Sequence, residues 1–212
     1  MRLTKKEHAT LIVEDSDVKL IIDPGTFSAP LDDVDKTIAV VITHEHADHW
    51  TPEQLGHIVN KNPSAQIFGP RGVVAAAAGF AITEVHNGES VTAGAFSLTF
   101  FGSQHAVIHS SIPVVDNVGV LVNKTLYYPG DSFTVPRGVA VDTLAVPAGA
   151  PWLKISEVID FMLRVAPRRS FSTHEMVLSD AGKHLANSRI EWATQQGGGT
   201  FFALAPNDTL DI

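Results

Sequence analysis

Residues 37–54 constrain this chain more than any other stretch. Thr37-Ile38-Ala39-Val40-Val41-Ile42 is an apolar run rich in β-branched residues, and polar Thr43 ends it. A short run of this kind, bounded by polar residues, reads as a buried strand. Four ligand-type side chains follow within six positions: His44, His46, Asp48 and His49. Alternate side chains of an extended backbone share a face, so His44 and His46 point the same way. That spacing suits two imidazoles on one metal ion. Asp48 and His49 fall where the chain must turn and can face a second position beside the first. Thr51-Pro52-Glu53-Gln54 then opens a helix, with Thr51 as N-cap, Pro52 at the first helical position and Gln54 closing a capping box. A single histidine would read as a surface residue. Four ligand-type residues between a strand and a capped helix read as the front half of a two-metal site.

The 212 residues are 44% apolar and 18% charged, which suits one globular domain, 1–212, with a large core and no linker. There is no cysteine. Disulfides and thiolate sites are therefore excluded, and any ion must be held by imidazole and carboxylate. Leu11-Ile12-Val13 is too short for a signal-peptide core, and no run approaches membrane-spanning length. The expectation is a cytoplasmic protein with no membrane partner. A net charge of −8 argues against nucleic acid, which needs a basic surface to neutralise phosphates. The expected partner is a small-molecule substrate, and a homo-oligomer stays open.

Elsewhere the chain repeats one arrangement, a strand that delivers a histidine or aspartate to the loop beyond it. Residues 10–14 and 18–23 form a hairpin across Asp15-Ser16-Asp17 that runs into the turn Asp23-Pro24-Gly25. A helix over 52–60, a strand at 66–68 and a helix from Arg71 through the alanine run to Gly79 come next. Residues 82–85, 89–92 and 96–101 read as successive strands of a second sheet, the last ending at Gly102-Ser103-Gln104-His105. His109 is the rival to His105, which directly follows the strand. Residues 117–122 and 125–128 form a hairpin into Pro129-Gly130-Asp131-Ser132, where Gly130 permits a tight bend. A strand at 142–147 and the loop 148–152 precede a helix with apolar positions Ile155, Ile159, Met162, Leu163 and Ala166. Residues 170–173 lead to His174, and Ser179 caps a helix that runs to Gln196. Residues 201–204 and 209–211 close the chain as short strands, while His57, His86 and His184 read as surface residues.

The pattern His44-x-His46-x-Asp48-His49, followed in order by His105, Gly130-Asp131 and His174, resembles the signature of the metallo-β-lactamase superfamily. The resemblance implies an α/β (α+β) fold, a four-layer αββα sandwich, with the site where its two sheets meet. It implies that His44, His46 and His105 hold one ion, that Asp48, His49 and His174 hold another, and that Asp131 bridges them. Asp23 would brace the metal loop by hydrogen bonds. Two divalent ions are implied, Zn²⁺ first, with Mn²⁺ and Fe²⁺ also suited to imidazole and carboxylate. A hydroxide shared by the ions would attack an ester, lactone, amide or phosphoester. Asp48 or His109 would protonate the leaving group, and Ser110, Ser111 and Trp152 would contact substrate.

Within the superfamily the chain is most similar to the small group that includes L-ascorbate-6-phosphate lactonase. The grounds are its length, Asp23-Pro24, the Tyr127-Tyr128-Pro129-Gly130-Asp131-Ser132 stretch, and Pro147 before a Gly-containing loop. It departs from those lactonases in being shorter and in lacking a basic cluster placed for a sugar phosphate. The alternatives are a phosphodiesterase, a thioesterase, or a metal-binding sensor without turnover.

Overall fold

Apolar runs such as 20–22, 39–42 and 120–122 carry side chains on both faces of a strand, so each strand must be covered twice. The computed structural model, which describes residues 1–212, meets this demand with two stacked sheets and helices outside each. The first sheet opens with β1 (Arg2–Lys5), β2 (Leu11–Asp15) and β3 (Val18–Ile22). It continues through β4 (Thr37–Val41), helix α1 (Pro52–Lys61), β5 (Gln66–Gly69), helix α2 (Arg71–Ala76) and β6 (Ile82–Glu84). The second sheet contains β7 (Ser90–Ala93), β8 (Phe96–Phe101), β9 (Gly119–Val122) and β10 (Leu126–Tyr128). It is completed by β11 (Thr143–Pro147), helix α3 (Ile155–Val165), β12 (Arg169–Thr173), helix α4 (Asp180–Gln196) and β13 (Thr200–Phe201). The last strand, β14 (Thr209–Asp211), returns to the first sheet beside β1.

Both sheets have seven strands and follow the same plan. One half is an antiparallel meander, β14-β1-β2-β3 or β7-β8-β9-β10. The other half is parallel, β3-β4-β5-β6 or β10-β11-β12-β13; its first crossover is a loop and the later two in each sheet carry helices on the outer face. Strand alternation assigns the layers. Leu20 and Ile22 point between the sheets while Ile21 points out to the helices; Val120 and Val122 point in while Leu121 points out. The interlayer core holds 20 buried residues, among them Leu11, Val13, Phe96, Phe100, Tyr128 and Phe171. Leu55 and Ile58 of α1 cover the first sheet, and Phe161 and Met162 of α3 with Ile190 of α4 cover the second. The four-layer αββα expectation holds.

Several local expectations need correction. Residues 2–5 form a strand that the sequence reading did not assign, held between β2 and β14. Strand β6 belongs to the first sheet, through Ile67↔Ile82 pairing, because the short α2 crossover lays it parallel beside β5. Helix α2 ends before the alanine run is finished. Its packing rests on Val73 and Ala77, and propensity alone does not extend so short a helix. The buried face of α3 is Val158, Phe161 and Met162, at i, i+3 and i+4, whereas Ile155 and Leu163 are exposed. Thr51 does cap α1, accepting from the Gln54 N–H at 3.1 Å. The Gln54 side chain does not reach back; it is spent on the 28–31 loop, accepting from Leu31 N and donating to Ala29 O.

Candidate metal centre

Strands β3, β4, β10, β11 and β12 all end at one edge of the sandwich, where ligands gather in open parallel sheets. Asp23 follows β3, and His44 to His49 follow β4. Asp131 follows β10, Gly149 follows β11 and His174 follows β12. Strand β8 runs in the same direction as β10, so His105 arrives at that edge too. Seven residues expected as ligands from four separate loops thus come together: His44, His46, Asp48, His49, His105, Asp131 and His174.

Nε2 of His44 and Nδ1 of His46 lie 3.1 Å apart, and with His105 they offer three nitrogens within 4.8 Å of one another. A second group, within the same 4.8 Å limit, contains Asp48, His49, His174 and, unforeseen, His8. Asp131 stands between the two groups. Its Oδ1 is 3.3 Å from His49 Nε2, and its Oδ2 is 3.1 Å from His174 Nε2, 3.4 Å from His105 Nε2 and 4.0 Å from His44 Nε2.

The imidazoles are aimed by acceptors behind them. Four of them place Nδ1 against an oxygen: His44 against Thr43 Oγ1 at 3.1 Å, His49 against Asp23 Oδ2 at 2.6 Å, His105 against Ala106 O at 2.5 Å and His174 against Gly149 O at 2.7 Å. In the neutral ring Nδ1 then carries the proton and donates, which leaves Nε2 to face the centre as a lone pair. Asp23 anchors this arrangement. Fully buried, it accepts from the Thr43 backbone N–H at 2.8 Å and from the Thr43 hydroxyl at 2.7 Å as well as from His49. Gly25 lets the end of the hairpin approach the metal loop, since a Cβ there would sit 1.8 Å from Asp48 O. Gly130, at φ +62°, makes the bend that delivers Asp131, and its Cβ would meet Asn117 Oδ1 at 2.5 Å. That same Asn117 oxygen accepts from the Asp131 N–H at 3.0 Å.

Electrostatics follow from burial and proximity. Burial disfavours the charged form of every one of these groups, and for His44 and His46 it prevails, with neighbouring imidazoles adding to it, so both are lowered. For His49 burial is outweighed by Asp131 and Asp23, which raise it well above the ordinary value. For His174 burial is likewise outweighed by Asp131 and Asp48, and it is pushed up to about 9. Asp131 and Asp48 resist burial through the surrounding imidazoles and are held well below the usual carboxylate range. Without a cation, His49 and His174 pair as imidazolium with the carboxylates around them; a divalent ion would take the place of those protons. The donor set fits such ions. His49 Nε2, His105 Nε2, His174 Nε2 and Asp131 Oδ1 are buried, face one another and have no hydrogen-bond partner.

The other expected site residues are placed differently. His109, Ser110 and Ser111 are exposed on the loop after His105, and His109 Nδ1 accepts from the Ser111 N–H at 3.1 Å. Trp152 is buried and meets the site from within the protein. Its indole N–H donates to Asp131 Oδ2 at 3.0 Å, and its ring packs edge-on against His105. Asp48 Oδ2 lies 3.2, 3.3 and 3.8 Å from the Nε2 atoms of His8, His174 and His49, a position that suits a ligand. His8 was passed over because no motif carries it. Its only signal is topological, since the β1–β2 turn lies at the same edge as the β3 end.

Fold and site together define a protein of the metallo-β-lactamase fold with a His and Asp cluster suited to divalent ions. The chain belongs to the β-lactamase superfamily, whose domain matches residues 2–174. It is 34% identical to Protein Rv0786c of Mycobacterium tuberculosis over 99% of this chain and 98% of that one. It is 28% identical to UPF0173 protein PF0020 of Pyrococcus furiosus, over 85% of this chain and 86% of that one. Among solved structures, the metallo hydrolase Igni18 of Ignicoccus hospitalis superposes with a TM-score of 0.75 at 18% identity, covering 99% of this chain and 97% of that one.

Proposed function

We propose that the protein uses two divalent ions, Zn²⁺ in the first instance, to hydrolyse an ester, lactone, amide or phosphoester bond of a small molecule. The observation that carries this reading is the Asp131 carboxylate, placed between two sets of inward-facing imidazoles. His44, His46 and His105 would hold one ion, and Asp48, His49 and His174 the other, with Asp131 shared. Such a pair supplies Lewis acidity and a nucleophilic water at neutral pH. The chain's own residues hold that geometry: Asp23 and Thr43 fix the metal loop, and Trp152 fixes the shared carboxylate.

Ser110 and Ser111 stand exposed beyond His105 as the polar contacts assigned to substrate, and His109, bonded to Ser111, is the proton donor we assign to the leaving group. Phe27, Val107, Ile112, Val114, Met176 and Val177 are exposed on the loops that follow Asp23, His105 and His174. Apolar side chains at these loops favour a substrate with an apolar portion over a sugar phosphate. Among the superfamily's small hydrolases, the lactonase-like pattern supports an acyl ester or lactone first and a phosphodiester or thioester second. The test is to screen metal-loaded protein against lactones, phosphodiesters, thioesters and β-lactams, before and after chelation. Turnover of one class, abolished by chelation and restored by Zn²⁺, is expected. Undiminished turnover after metal removal contradicts the reading, and tight binding of one class without turnover favours a sensor.

A further inference from the structure

His8 is fully buried in the turn between β1 and β2, in the left-handed conformation at φ 56°. The Lys6 N–H donates to Thr10 O at 3.0 Å, and the Thr10 N–H donates to Glu7 O at 3.2 Å, closing the turn around it. One edge of its ring meets Phe27, with centroids 4.8 Å apart, and the rest is tied to the second group of ligands. Its backbone carbonyl accepts from the His174 N–H at 2.8 Å, and its ring lies on the His174 ring with centroids 3.9 Å apart. Its Nε2 is 3.2 Å from Asp48 Oδ2, the same oxygen that lies 3.3 Å from His174 Nε2 and 3.8 Å from His49 Nε2.

Proximity alone would make His8 a fourth ligand of the second ion. The other face of the ring decides otherwise. The Met176 backbone N–H donates to His8 Nδ1 at 3.3 Å, so that nitrogen is an acceptor and cannot carry a hydrogen. The ring hydrogen must then reside on Nε2, where it points at Asp48 Oδ2. A nitrogen bearing that hydrogen has no lone pair for a cation. In their neutral, ion-binding form His44, His49, His105 and His174 are opposite in sense, with Nδ1 donating and Nε2 bare. We propose that His8 is a positioning residue of the second metal site, one that donates to Asp48 Oδ2 and holds it in coordinating position without binding the ion itself. A carboxylate oxygen has two lone-pair directions; His8 takes one and leaves the other for the cation. Asp48 needs such a hold because it is the most exposed of the ligands in this group, with a side chain 24% exposed against 0% for His49 and 3% for His174.

This rests on the two-ion reading, and the experiment separates the two. Zn²⁺ stoichiometry and the two dissociation constants are measured by competition with a chromogenic chelator for the wild type, His8→Ala, His8→Gln and His8→Glu. A wild type that binds fewer than two ions overturns the two-ion reading, whatever His8 does. With two ions in the wild type, His8→Ala is expected to weaken the second by about 10–100-fold, the usual effect of removing a group that orients a ligand. The first ion, on His44, His46 and His105, is expected to keep its affinity, and that serves as the folding control together with the melting curve of the metal-stripped protein. His8→Gln, whose amide N–H can still donate to Asp48, is expected to recover most of the loss. His8→Glu, which sets acceptor against acceptor, is not. Wild-type affinity for both ions in His8→Ala overturns the proposal. So does equal weakening of both ions, or a His8→Gln variant no better than His8→Ala.

Discussion

The indole N–H of Trp152 occupies an oxygen of Asp131 that also lies within 3.4 Å of His105 and His174. Replacing Trp152 by Phe keeps an aromatic ring beside His105, deletes that donor and shrinks a buried side chain. Turnover is expected to fall by about 10-fold and the melting temperature by a few degrees, with the protein still folded. An unchanged rate, measured on whichever substrate the screen identifies, would show the bond to be incidental. Asp23→Asn swaps an acceptor of three hydrogen bonds for a group that must turn an N–H toward Thr43 or His49. Zn²⁺ affinity is expected to drop about 10–100-fold, read by titration. The titration of His174 adds a pH signature. Its folded value of about 9 lies above the ordinary 6.5. In metal-stripped protein it therefore contributes stability that is fully present below pH 6.5 and is lost as pH rises through 9. Metal-loaded protein should do the reverse, since the same imidazole must shed its proton to bind, so Zn²⁺ affinity should climb over that interval. Calorimetric titrations between pH 6 and 9 that show flat affinity would contradict this assignment of charge.

At the scale of elements, the first turn and the loop after β12 behave as one piece. Buried Lys5 pairs with Glu175, and His174, the residue before it, donates its backbone N–H to the His8 carbonyl. Lys5→Met leaves a carboxylate buried without its partner and is expected to cost about 3–5 kcal/mol, whereas adding Glu175→Leu should return most of it. Denaturant unfolding of the single and double variants measures this. Gly25→Ala drives a methyl into the Asp48 carbonyl, and the expected result is loss of the second ion with the first retained. Much of this layer was legible from sequence wherever a strand had apolar residues on both faces or a helix had Ser or Thr before it. Ser179 and Thr51 cap where expected. The exceptions were settled by partners distant in sequence. Strand β1 is recognisable only with β14 beside it, and the buried face of α3 is chosen by the sheet it covers.

For the molecule as a whole, the two halves repeat one plan, and their parallel segments end at a common edge where ligands from residue 44 to residue 174 meet. The candidate ligands were readable because each follows a strand in a fixed order, and that order survives in the linear chain. His8 and the inward position of Trp152 were not. Hydrogen-bond direction and burial exist only after the sheets have stacked, and neither residue stands at a telling distance from another. The substrate is written in loop surfaces, which carry no such periodicity. The most direct measurement of the central claim is anomalous diffraction at the zinc edge from Zn²⁺-loaded crystals. Two peaks are expected, one coordinated by His44, His46 and His105 and the other by Asp48, His49 and His174, with Asp131 touching both. A single peak, or peaks that leave Asp131 uncoordinated, would contradict it.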